Sequence, residues 1–277
     1  MNEDPNFDSE WLKVFHPADR PDRLMIWFPH GGASATSAFQ LSKLLSGRVP
    51  IAAVQYPGRA NRAAEPHAES FVEIADHVVD ALRDTPVRSV SLIGHCMGAI
   101  VAFEVARRLE RESNVTVERL IVSGSVAPNL LAKNAVASTD HHVRSDVHAL
   151  GGTDARILAD DTLLDVYLPA LRADYRARDG YRYLAGQPLT CPITAMVGDV
   201  DPLIRLDHGV AAWEQYTTGG FELHTFDGGH FYFIDRIAAV AQLLAETWRR
   251  QPPFTSSTSD EQRDREAMGG NQCQRTT

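Results

Sequence analysis

Cysteine is scarce in this chain of 277 residues: there are three, Cys96, Cys191 and Cys273, and no metal-ligand spacing relates them. An odd, widely spread set excludes a disulfide framework and suits a reducing cytoplasm, the location expected here, where a free thiol persists. Long apolar runs are missing as well. No stretch reaches the roughly eighteen consecutive apolar residues of a membrane-spanning helix. The opening Met1-Asn2-Glu3-Asp4-Pro5 has neither the basic region nor the apolar stretch of a secretory leader. The expectation is a chain that is neither secreted nor membrane-bound. Positive charge is also in short supply: the formal net charge is −9 and no basic run is visible, which excludes nucleic acid as the default partner. There is no internal repeat. The segment from Pro252 to Thr277 nearly lacks large apolar residues and is rich in Ser, Thr, Gln, Asp and Arg. Residues 252–277 are therefore expected to be a disordered tail, with Cys273 an exposed and silent thiol.

What is present is core-forming material, 44% of the residues, enough for one large domain over residues 1–251. Apolar runs bounded by turn residues recur at Leu24–Phe28, Ile51–Gln55, Val90–Ile93, Arg119–Ser123, Ile193–Val197 and Phe221–Phe226. Between most of them lie helical patterns, best at Ala38–Leu45, Phe71–Leu82, Met97–Leu109 and Ile234–Arg249. That alternation predicts an α/β fold, a mainly parallel sheet with right-handed crossovers placing helices on both faces. It lapses at about residues 128–188, where helical patterns such as Thr162–Tyr175 occur without a strand. This stretch is expected to be an inserted helical lid over the carboxyl ends of the strands, where sites lie in open parallel sheets.

The segment Gly94-His95-Cys96-Met97-Gly98-Ala99 carries the chemistry. It has the form of a nucleophile elbow, G-x-S-x-G, with a thiol in place of the serine, and a buried strand and helix flank it as that motif requires. Cys96 is the expected covalent nucleophile. A thiol at neutral pH is only partly ionised, so it needs a base, and the base needs an acid to fix its tautomer. Among eleven histidines, His230 in Asp227-Gly228-Gly229-His230-Phe231 follows the last strand and precedes a helix, at the sheet's carboxyl edge. The acid should stand between nucleophile and base in the chain. Asp199 and Asp201, after the strand Ile193–Val197, both qualify by spacing. The stretch Val122-Ser123-Gly124-Ser125-Val126 carries no carboxylate, which disfavours an acid on strand five. Pro29-His30-Gly31-Gly32-Ala33-Ser34-Ala35 is a small-residue loop able to bring a backbone amide over the nucleophile, with His30 shaping the loop. The pair His141-His142 reads as a solvated face of the lid, and Cys191 as a buried structural thiol.

These segments resemble the type II thioesterases that serve nonribosomal peptide and polyketide synthases, α/β-hydrolases with a helical lid. The resemblance spans roughly Trp11 to Trp248. It rests on Trp11-Leu12 leading to Phe28-Pro29-His30, on Gln55-Tyr56-Pro57-Gly58-Arg59, on the Cys96 elbow, on Leu168-Pro169-Ala170-Leu171-Arg172-Ala173-Asp174 and on Gly228-Gly229-His230-Phe231. It implies Asp201 as the acid, His230 as the base, and the backbone amides of Gly31 and Met97 as the oxyanion hole. It further implies a monomeric enzyme without metal or cofactor, whose partners are acyl or peptidyl carrier domains presenting substrate on phosphopantetheine. Arg172 and Asp174 would hold the lid's structure, and Arg59 matches the family without a derivable role. The arginines Arg172, Arg176, Arg178 and Arg182 are a candidate docking patch for acidic carriers, or else an ordinary solvated helix face.

Two departures stand out. The family loop usually reads Pro-His-Ala-Gly-Gly-Ser-Ala, and its nucleophile is usually serine. Acylated Cys96 would be another thioester, nearly equal in free energy to the substrate. Three functions are therefore compatible with the chain: editing hydrolysis of carrier-bound acyl or aminoacyl thioesters, carrier-to-carrier transfer or cyclisation through the same cysteine, and a catalytically silent subunit that docks a synthase.

Overall fold

A computed structural model describes residues 9–16, 22–83, 85–131, 140–151, 160–204 and 209–250. The tail at 252–277, with Cys273, lies outside the described residues. Seven strands form one sheet: β1 (Leu12–Val14), β2 (Arg23–Phe28), β3 (Ile51–Val54), β4 (Ser89–His95), β5 (Thr116–Ser123), β6 (Ile193–Gly198) and β7 (Phe221–Phe226). Their order is β1-β3-β2-β4-β5-β6-β7. All neighbours run parallel except β1, which pairs antiparallel with β3 through Leu12 and Val54. The sheet is the mainly parallel one expected, plus the short strand β1 that apolar runs do not predict. Three residues are too few to show a period.

The central strands read as continuous apolar runs because both of their faces are covered. On β2, Leu24, Ile26 and Phe28 enter one core while Met25 and Trp27 enter the other. On β3, Ala52 and Val54 face the first, and Ile51 and Ala53 the second. Helices α2 (Phe71–Arg83) and α3 (Met97–Glu112) cover the first face. Helix α1 (Phe39–Leu45) covers the second together with the C-terminal helix. The single helix expected at Ile234–Arg249 is in fact two, α6 (Tyr232–Asp235) and α7 (Ile237–Arg250), parted at Arg236, where φ is −106° and ψ 22°. The break lets Tyr232 and Phe233 turn inward beneath the site before α7 restarts and lays Val240, Ala241, Leu244 and Trp248 on the sheet.

Between β5 and β6 stand α4 (Asp140–Leu150) and α5 (Asp161–Gly180). They share a small apolar cluster of Val143, Val147, Leu164, Leu168 and Leu171, separate from the two sheet cores. The side chains of His141 and His142 lie outside the described residues. Among the described residues no helix is long and apolar enough to cross a membrane.

Candidate active site

The elbow forms because two glycines let three backbones meet. A Cβ at Gly94 would lie 2.1 Å from Gly98 O, and one at Gly98 would lie 2.2 Å from Phe28 O. Cys96 between them has φ 56° and ψ −120°, a conformation that L residues rarely adopt and that costs on the order of 1–3 kcal/mol where it is held. Its N–H donates to Ser123 O of β5 at 2.8 Å, so the strained turn is pinned to the sheet. The strain aims the thiol out of the turn and into a cavity of about 600 Å³.

The other residues of the constellation reach the same point from the carboxyl ends of neighbouring strands. His230, on the loop after β7, bonds through Nδ1 to Asp201 Oδ2 at 2.8 Å, and both side chains are shut off from solvent, at 1% and 0% exposure. Asp201 follows β6, and its other oxygen accepts the Leu203 N–H at 2.9 Å. Of the two aspartates left open by spacing, Asp201 is the one that meets the imidazole. Asp199 is exposed and accepts the Gly228 N–H at 2.9 Å, holding the turn before His230 and not touching its ring. Nε2 of His230 is buried with no hydrogen-bond partner among the described residues, and Cys96 and His230 influence each other's ionisation.

Electrostatics favour an ion pair. Burial alone would push the Cys96 thiol up, but the polar contact and positive charge of His230, aided by the Met97 N–H, outweigh it and hold the thiol below its ordinary value. Burial alone would pull His230 down; Asp201 and Cys96 together outweigh it and raise the imidazole to about 10. Both shifts run in the direction of a thiolate–imidazolium pair. The neighbouring imidazoles do not compete for the proton. Burial, then the charge of His230, holds His95 well below its ordinary value and His30 at about 4. His95 Nδ1 instead meets Ser123 Oγ at 2.9 Å, which meets Tyr232 OH at 2.7 Å. Sequence reading did not single out this polar chain under the elbow.

The absence of a strand-five carboxylate also has a steric side. Gly124 has φ +52°, and a Cβ there would lie 2.6 Å from His95 Cε1 and 3.3 Å from His230 Cε1. No acid fits at that residue without displacing the rings it would serve.

Two residues with candidate backbone donors, Met97 and Gly31, lie beside Cys96 and its cavity. Met97 is the first residue of α3, so its N–H has no acceptor within the helix. Gly31 follows β2 and lines the cavity, and a Cβ built on it would come 3.7 Å from Met97 Sδ. The cavity's lid wall is apolar, with Val147, Leu164, Val166, Leu171 and Tyr175, and the loop from His30 to Ser37 forms the other side. A chamber of this size and lining suits a largely apolar ligand.

Arg59, which sequence reading could not explain, is 7% exposed and makes a bidentate pair with Asp174 of α5 at 2.8 Å on both arms. Cys191 is buried, and burial raises its thiol far above the ordinary range. Of the four lid arginines, Arg176 and Arg182 are exposed. Arg182 ties back to Asp179 O and Tyr181 O, and Arg178 lies over the Tyr175 ring with Asp179 beside it.

A family model described as a thioesterase domain matches residues 23–247. The chain belongs to the thioesterase family. This thioesterase is 43% identical over 234 residues to thioesterase PikA5 of Streptomyces venezuelae, with 83% of each chain covered. The structure of the type II thioesterase BorB from the borrelidin biosynthetic cluster matches it with a TM-score of 0.79 at 38% identity, over 86% of this chain and 97% of that one. RedJ, a thioesterase from the prodiginine pathway in Streptomyces coelicolor, matches with a TM-score of 0.77 at 31% identity, over 85% of this chain and 90% of that one. The family expected from the motifs is the family found, with its α/β-hydrolase fold and thioester hydrolase class.

Proposed function

We propose that this thioesterase cleaves acyl or aminoacyl groups from the phosphopantetheine of carrier-protein domains in a peptide or polyketide synthase, using Cys96, His230 and Asp201. The observation that carries the reading is the Asp201–His230 hydrogen bond, set behind a thiol with a depressed pKa that opens onto an apolar chamber. Relatives such as PikA5 and BorB supply the pathway context.

The Cys96 thiolate attacks the thioester carbonyl, and the oxygen takes up negative charge between the N–H groups of Gly31 and Met97. The tetrahedral species collapses by breaking the bond to the phosphopantetheine sulfur, which takes the proton from His230 Nε2 and departs as thiol. Neutral His230 then removes a proton from water, the hydroxide adds to the acyl-Cys96 carbonyl, and collapse expels the Cys96 thiolate beside the restored imidazolium. Asp201 keeps the proton of Nδ1 fixed, so that Nε2 is the nitrogen that exchanges protons.

Cys96 itself favours a second reading, transfer of the acyl group to another carrier thiol or to a nucleophile within the chain. Loading a thiol from a thioester is nearly isoenergetic, so the acyl-enzyme remains a competent donor. The two readings separate when the enzyme is incubated with acyl-loaded carrier protein and followed by intact mass and free-acid assay, with Cys96→Ala and Cys96→Ser alongside. Prompt free acid with little adduct is the expected outcome. An adduct that persists until a second carrier arrives assigns transfer instead, and a Cys96 that never acquires the acyl mass leaves only a docking role.

A further inference from the structure

The oxyanion loop from Pro29 to Ala35 is gripped from two directions. Residues after β3 hold its outer side: Tyr56 OH donates to Pro29 O at 3.1 Å, Gln55 Oε1 accepts the Ala35 N–H at 3.2 Å, and Arg59 Nη1 donates to Ala33 O at 3.2 Å. The lid helix α5 holds the side facing the cavity. Asp174 Oδ2 accepts the Gly32 N–H at 2.7 Å, and the same carboxylate takes both arms of Arg59. Leu171, one turn earlier, sits so close that a Cβ on Gly32 would be 2.7 Å from its Cδ2. Gly32 has φ +76°, so both its backbone and its missing side chain belong to this contact.

The geometry is specific because the Gly32 N–H and the Gly31 carbonyl are ends of one rigid peptide plane. The Gly31 N–H lies in the preceding plane, so Gly31 is restrained from both sides, by Asp174 at the Gly32 N–H and by Tyr56 OH at the Pro29 carbonyl. The acceptor at the Gly32 N–H belongs to the lid and not to the sheet. Asp174 is 4% exposed and its guanidinium partner 7%, so neither charge has water to fall back on if the pair parts.

We infer that Asp174, braced by Arg59, is a positioning residue that sets the Gly31 oxyanion donor and makes its competence depend on the lid being in place. The inference rests on the proposed function, since it assigns Gly31 as a donor to a developing oxyanion. Displacing α5 withdraws the carboxylate from Gly32 and releases the peptide plane, so acylation belongs to the closed lid. Thiolate formation does not depend on this contact, because His230 and Asp201 are anchored on the loops after β7 and β6.

The test separates attack on a carbonyl from attack that needs no oxyanion hole. Octanoyl-pantetheine acylates Cys96 through a tetrahedral oxyanion, whereas iodoacetamide alkylates the same thiolate without one. Two variants are compared with wild type by intact and peptide mass: Asp174→Asn, and the pair Arg59→Met with Asp174→Leu, which removes both charges and so leaves no lone buried ion if the first fails to fold. The expected result in a folded variant is an acylation rate about 10²-fold lower, the scale of losing one oxyanion donor, with the alkylation rate within about twofold of wild type. Acylation within threefold of wild type in the folded pair variant overturns the inference, as does a parallel fall in alkylation, which would mean general damage to the nucleophile. A wild-type enzyme that alkylates but never acylates overturns this inference and the functional reading together. Equal acylation of wild type and variants overturns the positioning role alone.

Discussion

The proposed nucleophile and the helices above it are built on opposite terms. Cys96, Asp201 and His230 sit on turns at the ends of β4, β6 and β7, in a sheet with a large buried core on each face. Among the described residues, the lid helices α4 and α5 share a cluster of five buried side chains, add Ala177 to the sheet core, and meet the oxyanion loop through Leu171 and a polar tie at Asp174. A strained φ of 56° at Cys96 persists because its surroundings are deeply packed. Chemistry that must stay within a fraction of an ångström belongs on the sheet, whereas a gate that admits a tethered acyl chain belongs on the element with the smaller core.

The sharpest way to break this division is to remove the sheet-borne groups. Cys96→Ala should eliminate the acyl-enzyme and reduce thioester turnover on the order of 10⁴-fold or more, read by intact mass and free-acid release. Asp201→Asn should fold normally and lose about 10²–10⁴-fold in turnover, because His230 then lacks the partner that fixes its tautomer. Asp199→Asn should cost far less, since Asp199 meets Gly228 N and not the imidazole. Equal losses at the two aspartates would sink the assignment of Asp201.

Ionisation offers a second contrast within the same site. On the proposed mechanism the active form is thiolate with imidazolium, so turnover should rise as Cys96 loses its proton below the ordinary thiol range. It should fall again as His230 loses its own proton near pH 10. In Cys96→Ser the hydroxyl stays protonated and neutral His230 becomes the required form, so the profile should become a single rising limb. A Cys96→Ser profile that still falls near pH 10 would show that the alkaline limb does not report His230.

How far these features were legible in the sequence depended on the range of the interaction behind each. The central strands were readable because both faces are buried and the runs are unbroken, and the elbow because its glycines are local necessities, where a Cβ would come within 2.1 and 2.2 Å of backbone oxygens. Strand β1 was not, having three residues and an antiparallel partner. The break at Arg236 was hidden because the apolar spacing runs through it. Asp199 and Asp201 are two residues apart, and only the fold shows which carboxylate turns toward His230. Arg59 and Asp174 are separated by 115 positions, and no local pattern announces a pair whose meaning lies in a third segment at Gly32.

Stability should split along the same line. Leu92→Ala, in β4 at the centre of the sheet, should lower global stability by about 2–5 kcal/mol in denaturant unfolding. Leu164→Ala, in the lid cluster, should instead accelerate amide exchange across residues 143–150 and 164–175 while leaving β4 and β5 protected. If Leu164→Ala loosens β4 and β5 as much as it loosens α4 and α5, lid and sheet are one cooperative unit and the comparison fails.

The smallest effect concerns how the lid meets a partner. Arg176 is exposed on α5, whereas Arg182 is engaged with backbone carbonyls and Arg178 with Tyr175 and Asp179. Of the three it has the charge most available to an acidic carrier, and a rim charge acts mainly on encounter. Arg176→Glu should therefore raise KM for an acyl-carrier protein by about fivefold at low salt, roughly 1 kcal/mol, an effect that shrinks as salt is added. Turnover of octanoyl-pantetheine, which has no carrier surface, should not change. A KM unaffected with the carrier substrate would make the arginine face of α5 an ordinary solvated one, and a loss shared by both substrates would place the damage in the chamber beneath it.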